Sequence, residues 1–187
     1  MWQLELNATD LLKPIIKTEI GISSICGSKY FDEGHIARID LLRYIEQKDP
    51  NMQIDIFNQD NAHNLKNYKG KLAFDAKSRG MIQYKYYFMM ENNFERNYMT
   101  EKIWEPILCE SLCFYYGCPN LSDYINPLAY VELDITDFEK SYQIIKTAIA
   151  EDWWSQRIDV IRREKQKILN NLAFFPTIYN IINSTKN

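Results

Sequence analysis

Apolar and polar positions along this chain switch repeatedly between two periods. "IGISSIC" (Ile20 to Cys26) is a short β-branched run ended by Gly27, and it reads as a buried strand. "EGHIARIDLLRYIEQKD" follows with Ile36, Ile39, Leu42 and Ile45 at helical spacing and Asp32 placed to cap it. Met52–Phe57 reads as a second strand and Tyr86–Met90 as the core of a third. "TEKIWEPILCES" reads as a helix, and Leu112–Tyr116 as a fourth strand stopped by Gly117 and Pro119. Tyr130–Leu133 is a short fifth strand. The polar stretch 58–80 carries Gly70 and Gly80 and reads as a long loop with one helical turn at most. Further on, Thr136 and Glu139 form a capping-box pattern before a stripe of Phe138, Tyr142, Ile145 and Ile149. A last helix carries Trp154, Ile158, Ile161, Ile168 and Leu172.

Strands that alternate with helices, and that are apolar on both faces, predict an α/β fold: a Rossmann-like, mostly parallel sheet with helices on both faces. Residues 20–172 form the expected domain, with 1–19 as an N-terminal extension or a remnant of an interlobe segment and 173–187 as a C-terminal tail. Ligands bind such sheets beyond the carboxyl ends of the strands. Glu91-Asn92 ends the third strand and Thr100-Glu101-Lys102 opens the next helix, so both are expected on that rim. A helix start offers unpaired N–H groups and partial positive charge, which suits phosphate. Lys102 adds a full charge where the helix dipole disfavours one, an arrangement that an anion would relieve. Glu101 suits the dipole and can accept sugar hydroxyls. Arg38, in the first helix after the first strand, is a second cation on the same side. On spacing alone, solvated helix faces are the commoner reading of these charges. No glycine-rich phosphate loop accompanies them.

Bulk properties narrow the options. A length of 187 residues suits one domain. The 22 basic and 25 acidic residues give a net charge of −3, which argues against a general nucleic-acid or membrane-surface binder. No stretch approaches the roughly 18 apolar residues of a membrane span. The N-terminus has no basic stretch before an apolar core, so a secretory leader is not expected. The four cysteines read as small buried hydrophobes in the reduced state, and the two histidines are too far from them in sequence for a zinc site. Together these favour a cytoplasmic protein.

The stretch "YKYYFMMENNFERNYMTEKIWEPILCESLCFYYGCPN" resembles the signature of the α1,3-fucosyltransferases, glycosyltransferase family ten. The correspondence runs through Met-Glu-Asn at 90 to 92, Tyr-Met-Thr-Glu-Lys-Ile at 98 to 103 and Gly-Cys-Pro at 117 to 119. "NPLAYVELDITDFEKSYQIIKTA" and the run from "ISSICGS" to "IDIFN" are similar to the flanking family segments, so the resemblance covers roughly 20–168. It departs where Met89-Met90 precedes Glu-Asn and where Ser-Ile-Cys-Gly-Ser follows the first strand.

The resemblance implies the C-terminal, donor-binding lobe of a GT-B glycosyltransferase that takes GDP-fucose or a related nucleotide sugar, transfers the sugar to a glycan acceptor with inversion, and needs no cofactor or metal for donor binding. It implies that Arg38 and Lys102 hold the pyrophosphate, that Asn92, Tyr98 and Glu101 contact nucleotide or fucose, and that Glu101, Lys102 and Arg38 carry the transfer. The family's acceptor lobe has no counterpart in residues 1–19. A second lobe or another chain is therefore expected to supply it, docking on the last helix and on Phe174-Phe175-Pro176. The rival expectation is a non-catalytic nucleotide-sugar or glycan-binding module.

Overall fold

The structure is a computed structural model that describes residues 3–172 and 182. Six strands form one sheet: β1 (Glu19–Ile25), β2 (Ile54–Phe57), β3 (Tyr68–Gly70), β4 (Tyr84–Met90), β5 (Leu112–Tyr116) and β6 (Tyr130–Glu132), in the order β3-β2-β1-β4-β5-β6. Every neighbouring pair is parallel. Each of the four long apolar runs in the sequence is a strand. β4 and β5 are buried along nearly their whole length, as expected of strands covered on both faces.

Among the described residues five α-helices accompany the sheet: α1 (Ala8–Leu12), α2 (Glu33–Lys48), α3 (Glu101–Leu108), α4 (Phe138–Ala150) and α5 (Trp153–Lys167), the last continuing into a π-helical turn, Ile168–Leu172. Helices cover both faces of the sheet. α2 and α4 pack together through Tyr44 and Phe138, whose rings lie 5.9 Å apart, and through the Tyr142 hydroxyl, which donates to Asp49 at 3.0 Å. α3 packs against α5, where Lys165 and Arg162 reach the Glu110 carboxylate at 2.8 and 3.0 Å. Tyr86 stacks on Phe114 at 5.6 Å across β4 and β5, at the centre of the core.

Two local readings change. The stretch 58–80 has its expected helical turn, a 3₁₀ turn at Lys77–Gly80, but Tyr68–Gly70 within it forms the edge strand β3. The cap of α4 is Asp137, whose side chain accepts from the Lys140 amide at 2.9 Å; Thr136 instead donates to Asp134. Residues 3–18 lie against the sheet domain, with Leu11 fully buried and the Lys17 ammonium bonded to Cys109 O and Ser111 Oγ at 2.5 and 2.9 Å. Burial lowers the pKa of Lys17 to about 7, and the nearby Glu110 charge offsets only part of this. All four cysteines are buried and unpaired. Trp154 is half-buried, its indole donating to Glu110 O at 2.7 Å, and Phe174-Phe175-Pro176 lie outside the described residues.

Candidate active site

The direction of the crossovers reverses between β1 and β4, so their carboxyl ends part to leave a crevice. A cavity of about 1110 Å³ opens there, slightly larger than the usual range for small-ligand sites. α2 leaves β1 and α3 follows β4, which brings Arg38, Asn92, Glu101 and Lys102 to the same cavity. Tyr98 is half-buried in the β4–α3 loop and is not part of the lining.

Two consecutive residues at the end of β4 fix both helices. Asn92 O accepts the amide of Gly34, in the first turn of α2, at 3.1 Å. The approach is so close that a Cβ on Gly34 would come within 1.8 Å of Glu91 O. On the other side, the Glu91 carboxylate accepts from Thr100 N at 2.9 Å and Thr100 Oγ1 at 2.7 Å, with the Tyr115 hydroxyl at 3.3 Å. Thr100 in turn caps α3 by accepting from the Lys102 amide at 3.4 Å. Glu91 therefore does not face a ligand. It is fully buried and supplies the negative charge that a helix start favours.

That arrangement alters the reading of Lys102. Its ammonium lies 3.6 Å from Glu91 Oε2, 3.1 Å from Glu101 Oε1 and 3.2 Å from Thr100 Oγ1. The clash with the helix dipole expected from sequence is thus relieved within the fold by two carboxylates. Burial tends to raise the pKa of Glu101, but the charge and hydrogen bond of Lys102 outweigh it and hold Glu101 below the usual carboxylate range. One turn further on, Glu105 is raised, because burial outweighs the Lys77 ammonium 2.6 Å away.

Arg38 is the opposite case. Only 3% of it is exposed, and no carboxylate lies within ion-pair distance of it among the described residues. Its Nη1 donates to Met89 Sδ at 2.9 Å and Met90 O at 3.3 Å, and its Nε has no partner. A buried cation of this kind is costly unless something anionic meets it. Of the four buried side-chain polar atoms without a hydrogen-bond partner among the described residues, three belong to residues that line this cavity: Arg38 Nε, Asn92 Oδ1 and His35 Nδ1. Such atoms are rare in native folds. Their concentration around one cavity sets it apart from the rest of the described fold.

His35 was not singled out from sequence, although it lies three residues before Arg38 and so shares its helix face. Among the described residues, no group of three or more His, Cys, Asp or Glu side chains is clustered to hold a metal ion.

Residues 26–150 match the family model for the C-terminal part of glycosyltransferase family 10 (fucosyltransferase). The chain is 35% identical over 68 residues to GDP-fucose protein O-fucosyltransferase 3 of Mus musculus, a match covering 36% of this chain and 14% of that protein. An α1,3-fucosyltransferase solved with GDP-fucose superposes with a TM-score of 0.54 at 17% identity, over 82% of this chain and 48% of the other. TarM superposes with a TM-score of 0.62 at 12% identity, over 91% of this chain and 36% of the other. These likenesses place the fold among the GT-B-like α/β structures. The chain spans about half the length of the solved α1,3-fucosyltransferase and a much smaller part of the curated relative.

Proposed function

Because the chain belongs to glycosyltransferase family 10, the fucosyltransferases, we propose that it is the donor-binding part of an enzyme that transfers fucose from GDP-fucose to a glycan acceptor with inversion at the anomeric carbon. The observation that carries the reading is Arg38, a buried cation without a counter-ion at the switch point of a parallel sheet, sharing one cavity with Lys102 and Asn92. A nucleoside diphosphate would supply the counter-ion that Arg38 lacks.

Arg38 and Lys102 approach from different helices and would meet the diphosphate from two sides. As the bond from the anomeric carbon to the diphosphate lengthens, negative charge grows on the leaving oxygens. Two cations already held in place stabilise that charge without reorganising. Glu101, ionised and held by Lys102, is placed to accept hydroxyls of the ribose or the sugar. Asn92 Oδ1 is a further acceptor in the cavity. The acceptor glycan and the base that activates it would come from a second lobe or chain.

Calorimetric titration with GDP, GDP-fucose, UDP and UDP-sugars tests the reading. Binding of GDP and GDP-fucose in preference to the uridine nucleotides is expected. If none of them binds, the reading is overturned. If UDP is preferred, the GDP-fucose assignment falls while the nucleotide-sugar site remains.

A further inference from the structure

His35 has no role in the account above, yet its surroundings are those of a ligand-binding group. It is only 5% exposed, it lies in the first turn of α2, and it lines the same cavity as Arg38 and Lys102. Its Nδ1 is buried without a hydrogen-bond partner: Asp32 Oδ2 is 3.3 Å away but poorly aligned. The ring is held edge-on against Phe31, with centroids 5.2 Å apart, and the Gly34 amide beside it is anchored to Asn92 O. Asp32, at the helix N-cap, makes no side-chain bond to the helix amides.

We propose that His35 is a third diphosphate-binding residue, donating from its imidazole to a phosphate oxygen held by Arg38 and Lys102 and taking a proton from solvent as the ligand docks. The proposal rests on the functional reading above and assigns its site one more group.

The charges around the ring decide the direction of the coupling. On its own helix it faces Arg38, and Asp32 at the cap; from the loop after β1 it faces Lys29, and from α3 Lys102. Three cations act on the ring against the Asp32 carboxylate, although Lys102 is itself paired with Glu91 and Glu101. Burial first, then Arg38, hold its pKa below the ordinary value, and Asp32 offsets only part of this. The empty cleft therefore favours the neutral ring. A diphosphate reverses the local balance by adding at least two negative charges, so the ring is more basic in the complex than in the free protein. Between those two pKa values affinity falls as pH rises, approaching tenfold per pH unit for one linked proton, and binding takes up a proton from solvent.

GDP-fucose is the suitable probe, because its diphosphate is a diester and lacks the terminal phosphate whose second pKa of about 6 would add its own titration. The whole chain is titrated with GDP-fucose across pH 5.5 to 8.5, in pairs of buffers that differ in ionisation enthalpy, alongside His35→Gln. Glutamine keeps a donor of similar reach and cannot take a proton. The wild type is expected to take up as much as one proton per site and to lose about tenfold or more in affinity across the window. His35→Gln is expected to bind about tenfold more weakly at the acid end, with a flat pH profile and no His35-dependent uptake. Its thermal melt shows separately that it folds. A flat wild-type profile overturns the proposal, as does an unchanged slope and uptake in His35→Gln. A wild type that binds no nucleotide at all overturns the functional reading together with this one, so the two failures are distinct.

Discussion

Replacing Arg38 with methionine should move stability and binding in opposite directions. Methionine keeps much of the volume and the contact with Met89 while removing the charge. In the free protein Arg38 is 3% exposed and is held only by a thioether and one carbonyl. Removing a buried charge with unsatisfied donors should recover about 1–3 kcal/mol. For a chain of this length that raises Tm by about 2–4 °C per kcal/mol. Against this, GDP loses its most deeply buried cation, and truncating one partner of a buried charge pair costs about 2–5 kcal/mol. At about 1.4 kcal/mol per factor of ten, affinity drops by about 30- to 4000-fold. Differential scanning calorimetry without ligand and isothermal titration with GDP on the same preparations give the two numbers. If Arg38→Met melts lower than wild type and binds GDP as tightly, Arg38 is a structural brace and the argument from its missing counter-ion is wrong.

Lys102→Ala should behave differently although its partner ligand is the same. It strips a counter-charge from the buried Glu91, so thermal stability should fall by about 1–3 kcal/mol, while GDP affinity falls by an amount comparable to Arg38→Met; equal melting temperatures for Lys102→Ala and wild type would show that the 3.6 Å pair contributes nothing. Gly34→Ala drives a methyl into Glu91 O and Asn92 O. It should cost about 3 kcal/mol or more and weaken GDP binding in whatever remains folded, and a melt within a degree of wild type would show that α2 shifts freely on the sheet.

The sequence made the central strands legible because they are buried on both faces, so apolarity is continuous and independent of register. β3 was hidden for the converse reason. It is a three-residue edge strand, half exposed, ending in Gly70 at φ +111°, and its residues carry the polarity of a loop. The capping box failed on a local competition: Thr136 bonds Asp134 and leaves the cap to Asp137. At the site, the helix start at Glu101-Lys102 could be read from the pattern, but spacing alone favoured a solvated helix face, and only the family resemblance singled the pair out. The role of Glu91 could not, because one residue separates a side chain facing the crevice from one facing the core, and periodicity does not resolve a strand end. Tyr98 was placed in the site by motif alone, and the loop leaves it outside the cavity lining. His35 became visible only once the unsatisfied atoms were seen together.

The pairing of Glu91 with α3 and Asn92 with α2 makes the end of β4 a caliper. One jaw carries Arg38, the other Lys102, and both are pinned by adjacent residues of a single strand, one through a backbone carbonyl and one through a carboxylate. Both cations are thereby tied to one strand end, so a change at Glu91 or Asn92 would be felt by the two helices together, while the loops beyond β1, β2 and β3 put Lys29, Gln59 and Phe74 on the wall of the same cavity.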